Sequence, residues 1–156
     1  MDIIKSEIYI YSIKLLSKQD YSIFKFQNKL RTKKFSLEEI ETVTDKLIAL
    51  RYLNEAQYTS AKIKQLIKKA YSNNYIQLKL DSEFLNATEN DVNGLREEVG
   101  ISEESQIKDL LDLKMRGISI PVSFEAKMKL KSQISNYIAR KGYPYDDIQD
   151  LMSNLF

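Results

Sequence analysis

The side chains able to do chemistry are few in kind. The chain contains no cysteine and no histidine. It therefore has no disulfide framework, no thiolate nucleophile, and neither the commonest metal ligand nor the usual general base. Carboxylates remain. Asp91 with Glu97 and Glu98, or Asp109 with Asp112, could serve acid–base work or hold Mg²⁺. Solvated helix carboxylates are far commoner than catalytic ones. No glycine-rich phosphate loop, HExxH motif or nucleophilic serine elbow accompanies these pairs. The pattern points to a protein that binds rather than catalyses, with no cofactor and no metal.

The cations say more. Lys25, Lys29, Arg31, Lys33 and Lys34 lie in a stretch with no acid between Tyr21 and Leu37. A second set is Lys62, Lys64, Lys68 and Lys69, and a third is Lys127, Lys129, Lys131, Arg140 and Lys141. Basic residues at this density can neutralise phosphates or meet an acidic protein surface, and they can equally be solvated helix faces. The net charge of +2 hides a segregated pattern. Residues 1–80 hold 15 basic and 8 acidic side chains, 81–113 hold 2 and 10, and 114–156 hold 7 and 4. Lys25 and Lys29 are four apart, opposite the apolar stripe Ile23, Phe26, Leu30, so the fold is expected not to need them. Of the ten tyrosines, Tyr11, Tyr21, Tyr52 and Tyr143 are expected to pack between helices rather than stack on bases.

The elements that position these residues are helical throughout. Gly and Pro number four and two, which suits helices joined by short turns. Ile4, Ile8, Tyr11 and Leu15 form a first apolar stripe. Ser22 caps a second helix carrying Ile23, Phe26 and Leu30. Ser36-Leu-Glu-Glu39 has capping-box spacing and opens a third, with the stripe Leu37, Ile40, Val43, Leu47 and Leu50. Further helices are expected over 55–71, around Ile76 and Leu80 with Phe84 at the end of that stripe, and around Val92, Leu95 and Val99, ending at Gly100. The last three hold Ile107, Leu110, Leu111, Leu113 and Met115; residues 123–141, ending at Gly142; and Ile148, Leu151 and Leu155.

One pattern recurs. Leu30, Phe35, Ile40, Val43 and Leu47 match Ile138, Tyr143, Ile148, Leu151 and Leu155 at a constant offset of 108 residues. Leu80, Leu85, Val92, Leu95 and Val99 match both after a two-residue insertion. Each copy reads as a helix end, a turn bearing a large apolar residue, and another helix. The reading is an all-α protein of three tandem three-helix repeats, 1–54, 55–100 and 101–156, stacked in an elongated helical array.

These segments resemble the RecX family, the bacterial regulators of the RecA recombinase. The resemblance is carried by Tyr11-Ser-Ile-Lys-Leu-Leu16, by Phe26-Gln-Asn-Lys-Leu-Arg-Thr-Lys-Lys-Phe35 and by Leu47-Ile-Ala-Leu-Arg-Tyr-Leu-Asn-Glu-Ala-Gln-Tyr58. Tyr137-Ile-Ala-Arg-Lys-Gly-Tyr143 is similar to the family's final Leu-x-x-Arg-Gly-Phe element. The chain departs from the family in places. Arg51 stands where a glycine is usual, Asn54-Glu55 stands for a pair of acids, and Tyr71-Ser-Asn-Asn74 replaces an Arg-Gly-rich turn. The resemblance implies a non-enzymatic regulator that binds RecA filaments and modulates, in the inhibitory direction, their ATPase and strand exchange in DNA repair, recombination and the SOS response. The alternatives are a direct binder of single- or double-stranded DNA and a helical-repeat adaptor for another protein. Candidate contacts are Lys25, Lys29, Arg31, Lys33, Lys34, Lys62, Lys64, Lys68, Lys69, Lys127, Lys131, Arg140 and Lys141. A monomer is expected. No segment approaches the roughly 20 apolar residues of a membrane span, and Met-Asp-Ile-Ile-Lys-Ser-Glu carries no signal-peptide run, so the expected compartment is the cytoplasm.

Overall fold

A computed structural model describes residues 2–156. Among the described residues it contains nine α-helices, one short 3₁₀ turn and no strand. The helices are α1 (Glu7–Lys18), α2 (Ile23–Thr32), α3 (Leu37–Ala49), α4 (Glu55–Lys68), α5 (Asn73–Ser82), α6 (Glu89–Val99), α7 (Glu103–Met115), α8 (Phe124–Arg140) and α9 (Tyr145–Ser153).

Local chemistry explains where most of them begin. The side chains of Ser22, Ser36, Thr88, Ser102 and Ser123 each accept a hydrogen bond from a first-turn backbone N–H. These bonds satisfy donors that a helix start leaves without a partner. Ser36 with Glu39 and Thr88 with Asp91 form reciprocal capping boxes. Two caps reach across the chain. The Ile23 N–H donates to Glu55 Oε1 at 3.0 Å and the Asn73 N–H donates to Glu103 Oε2 at 3.1 Å. The first residue of α4 thus secures the start of α2, and the first residue of α7 secures the start of α5.

The chain divides into two compact units, residues 1–62 with 80–86, and residues 63–79 with 87–156. In the first, α1 and α2 pack on α3 around Ile8, Tyr21, Phe26, Leu30, Ile40, Val43, Leu47 and Leu53. In the second, α7 and α9 pack on α8 around Ile107, Leu110, Leu111, Ile134, Ile138, Tyr143, Ile148 and Met152.

Three turns share one geometry. Lys34, Phe84 and Gly142 all have positive φ, at 66°, 55° and 92°. Their N–H groups donate to Arg31, Asp81 and Ala139 carbonyls at 2.9, 3.1 and 2.9 Å. Before each turn the last turn of the helix carries a residue with no exposure (Leu30, Leu80, Ile138), and a large apolar residue follows: Phe35, half-buried, and Leu85 and Tyr143, both buried. These are the positions the sequence offsets had paired.

The apolar stripes need correcting at their ends. Ile4 lies in the 3₁₀ turn and is exposed. Leu37, Leu50 and Leu113 are exposed, and Phe84 lies beyond α5 with its side chain outward. Tyr21 and Tyr143 are buried as packing residues, whereas Tyr52 is exposed. Leu95, Val99, Leu151 and Leu155 are half-buried, and the deeper neighbours are Arg96 and Met152. Arg96 and Met152 correspond, by the same offsets, to buried Thr44. Three chemically unlike residues therefore share one inward position.

Candidate functional site

The basic residues of α2 do not behave alike. Lys25 pairs with Glu83, a carboxylate whose side chain is only 4% exposed, and Lys62 Nζ lies 2.9 Å from the other oxygen of the same group. The Tyr58 hydroxyl donates to that carboxylate at 3.0 Å. Burial pushes the Glu83 carboxyl up, but the three donors outweigh it and hold the group below the usual glutamate range. Burial, then the hydrogen bond to Glu83, raises the Tyr58 phenol well above its ordinary value. Lys25 is thus tied to the fold, contrary to its expected indifference. The remainder of that run is freer. Lys29, Lys33 and Lys34 are exposed, Arg31 bonds the neighbouring Asn28 at 2.7 Å, and Lys33 sits 5.3 Å from the centre of the Tyr11 ring.

In the second unit, cations that lie far apart in sequence meet. Lys141 Nζ donates to the Lys69 carbonyl at 3.1 Å and lies 4.5 Å from the centre of the Tyr71 ring. That ring stacks on Tyr75 at 4.0 Å and 10°, and Lys79 lies 5.5 Å from Tyr75 on its own side. The Ser72 N–H donates to the Lys141 carbonyl at 2.9 Å. The chain just after α4 and just after α8 is thereby joined at the Lys69 carbonyl, with Lys141 and Lys79 against the two stacked phenols. Gly142 makes this approach possible. A Cβ there would collide with Ser72 Oγ and come within 2.7 Å of Tyr75 Cβ. Lys64 pairs with Glu98 at 3.1 Å instead. Lys127 and Lys131 lie nearer the start of α8, and Lys131 is roughly 15 Å of helix from Lys141.

Beneath this surface is a polar core that sequence reading missed. Arg96 is 4% exposed. Its Nε donates to Asn73 Oδ1 at 2.6 Å, one terminal nitrogen to Gln106 Oε1 at 2.8 Å and to the Ile101 carbonyl at 3.3 Å, and the other to the Tyr71 carbonyl at 2.8 Å. Gln106 donates in turn to the Ile67 carbonyl, and the Tyr143 hydroxyl donates to the Ala70 carbonyl at 3.1 Å. Burial lowers the Arg96 pKa and pushes the Tyr143 phenol up to about 12. The guanidinium thus fastens the turn that carries Tyr71 to α6 and α7. One sequence signal was available: Arg96 and Lys108 are the only cations between residues 81 and 113, and Arg96 lies four residues after inward-facing Val92.

Two of the candidate carboxylates have other work, Glu98 in its pair with Lys64 and Asp91 in a cap. Asp91 accepts from the Thr88 N–H at 2.8 Å as part of a cap. Among the described residues, no three acidic, histidine or cysteine side chains gather as metal ligands. No helix of the described residues is long and apolar enough to cross a membrane.

No protein-family profile matches the chain. It is similar to curated proteins named Regulatory protein RecX. One from Haemophilus influenzae strain PittEE is 24% identical over 142 residues, covering 91% of this chain and 90% of that protein. One from Vibrio cholerae O395 is 29% identical over 69 residues, covering 44% of this chain and 45% of its own. Among solved structures, RecX from Lactobacillus salivarius superposes with a TM-score of 0.68 at 19% identity, over 96% of this chain and 94% of that one. The curated relatives are named as regulatory proteins, and this chain is similar to RecX in sequence over 91% of its length and in fold over 96%.

Proposed function

We propose that the chain is a RecX-like regulator that binds RecA recombinase filaments and restrains their ATPase and strand-exchange activity, acting by binding in the bacterial cytoplasm. The observation that carries this reading is the likeness to Regulatory protein RecX over 91% of the chain. The all-helical fold agrees with it. Within this reading the chain consists of three repeats, 1–54, 55–100 and 101–156. Exposed Lys29, Arg31, Lys33 and Lys34, and the cations gathered around Tyr71, are the surfaces offered to the filament. A second reading, direct binding of nucleic acid, is favoured by one feature: the Tyr71–Tyr75 stack lies between Lys79 and Lys141, and basic residues around aromatic rings suit single strands.

The test is a recombinase ATPase assay on single-stranded DNA, with and without the protein, beside a titration of the protein onto the same DNA alone. The proposal expects inhibition at near-equal or lower ratios to recombinase. Affinity for bare DNA that falls steeply with salt, with no effect on the recombinase beyond competition for DNA, would favour the second reading. Neither effect would point to an adaptor for another protein.

A further inference from the structure

Phe84 is placed where neither backbone nor solvent favours it. Its φ is 55°, in the left-handed region that bulky side chains avoid. It is 73% exposed, more than any other large apolar residue among the described residues of the first unit. The residues at the same point of the two matching turns are Lys34 and Gly142. One suits water and the other suits the backbone, and Phe84 suits neither. Strain combined with exposure at one position marks a residue held for a purpose outside the fold.

The surroundings hold this ring in place. Its neighbours in sequence, Glu83 and Leu85, are both buried and pin the turn. The half-buried ring of Phe24 meets it edge-on, with centroids 4.7 Å apart at 64°. Lys25, next to Phe24, closes on Glu83, next to Phe84. An aromatic side chain that is held rigid and already desolvated on one side loses little freedom on binding, which is what an interface anchor requires.

We infer that Phe84, braced by Phe24, is an anchor that inserts into an apolar pocket on a protein partner. On the reading above, on which this inference rests, that partner is the recombinase of the filament. The pocket is rimmed by acidic groups that complement the half-exposed Lys25. Stacking on a nucleic-acid base is the lesser fit. Lys25 and Lys62 share the single Glu83 carboxylate, which leaves the cluster one net positive charge: enough to complement an acidic rim, but less than the several cations that a phosphate backbone engages.

The experiment uses the full chain with Phe84→Gly and Phe84→Asn, since both residues tolerate positive φ. Three measurements are made on each: thermal melting, inhibition of the recombinase ATPase on single-stranded DNA, and binding to that DNA without recombinase. The expected result is a melting temperature within a few degrees of the parent or above it, with the half-inhibiting concentration raised about tenfold or more, as for loss of an aromatic anchor. Bare-DNA binding stays unchanged. If the parent inhibits and both variants inhibit equally well, the inference is wrong while the functional reading stands. If the parent itself has no effect on the recombinase, the functional reading fails and this assignment of the partner fails with it. A parallel loss of bare-DNA affinity would make Phe84 a base-stacking group instead. Unfolding of both variants would make it a packing residue, and either result overturns the proposal.

Discussion

Lys62 Nζ lies 2.9 Å from Glu83 Oε2, and that carboxylate is 4% exposed while Lys62 is 19% exposed. The acid is therefore the buried partner, and both of its cations reach water. Removing Glu83 strands no charge in the interior, whereas removing the lysines would. Glu83→Gln should accordingly cost about 1–3 kcal/mol, the scale of lost charged hydrogen bonds, and less than the loss of both lysines. Lys25→Glu should lower the melting temperature by several degrees, because it sets a second carboxylate against Glu83. Lys29→Glu and Lys33→Glu, on exposed positions, should leave it within a few degrees. Equal melting temperatures for Lys25→Glu and Lys29→Glu would show that the pair contributes nothing.

The same carboxylate predicts a pH effect. Glu83 has its pKa lowered by folding, so the folded chain releases this proton more readily than the unfolded chain. Its stabilisation is complete above the ordinary glutamate range and is lost as pH falls through that range to the lowered folded value. Melting temperatures measured from neutral pH downward should fall more steeply for the parent than for Glu83→Gln. Parallel curves would contradict the assignment.

Arg96 should be the costliest polar residue to replace. Among the described residues its guanidinium has no carboxylate within salt-bridge distance, but it bonds one amide from each of α5 and α7 and two backbone carbonyls. Truncation to Ala leaves those four acceptors without this donor and opens a cavity. The expected loss is about 3–5 kcal/mol, read by urea denaturation. Lys in its place should rescue little of this, because one ammonium cannot reproduce the planar fork. Near-parent stability of Arg96→Lys would refute the argument.

Three backbone positions give effects of opposite sign. Gly142→Ala should destabilise by about 2 kcal/mol or more, since φ is 92° and the added Cβ meets Ser72 and Tyr75. Gly94 lies inside α6 with open space around it, so Gly94→Ala should stabilise by about 0.5–1 kcal/mol. Arg51 has φ 62°, and Arg51→Gly should be neutral or stabilising by up to about 1 kcal/mol. Chemical denaturation of the three variants checks all of these signs together.

Leu30 and Ile138 hold matching places at the ends of α2 and α8 and have no exposure. Leu30→Ala and Ile138→Ala should each cost about 2–5 kcal/mol. A loss under 1 kcal/mol at either site would mean that the position tolerates a void, and would break the equivalence between the two helix ends.

Much of the fold was legible in the order of residues because helix formation is local. Apolar spacing of three and four marks the inward faces of α2 and α3. Ser22, Ser36 and Ser123 mark starts through bonds that span three residues, and Gly142 marks an end. The offset between Leu30 and Ile138 needed only comparison of the chain with itself. What tertiary structure decided is how polar side chains are spent. Lys25 reads as one more exposed cation beside Lys29 until Glu83 is brought beneath it. Arg96 reads as a surface residue of an acidic segment until Asn73, Gln106 and Tyr71 close around it. Lys69 and Lys141 are 72 residues apart, and nothing local places one on the other. An apolar side chain betrays its burial through the period of its own helix. A charged one is buried only if partners from distant elements offset its desolvation, and those partners are assembled by the fold.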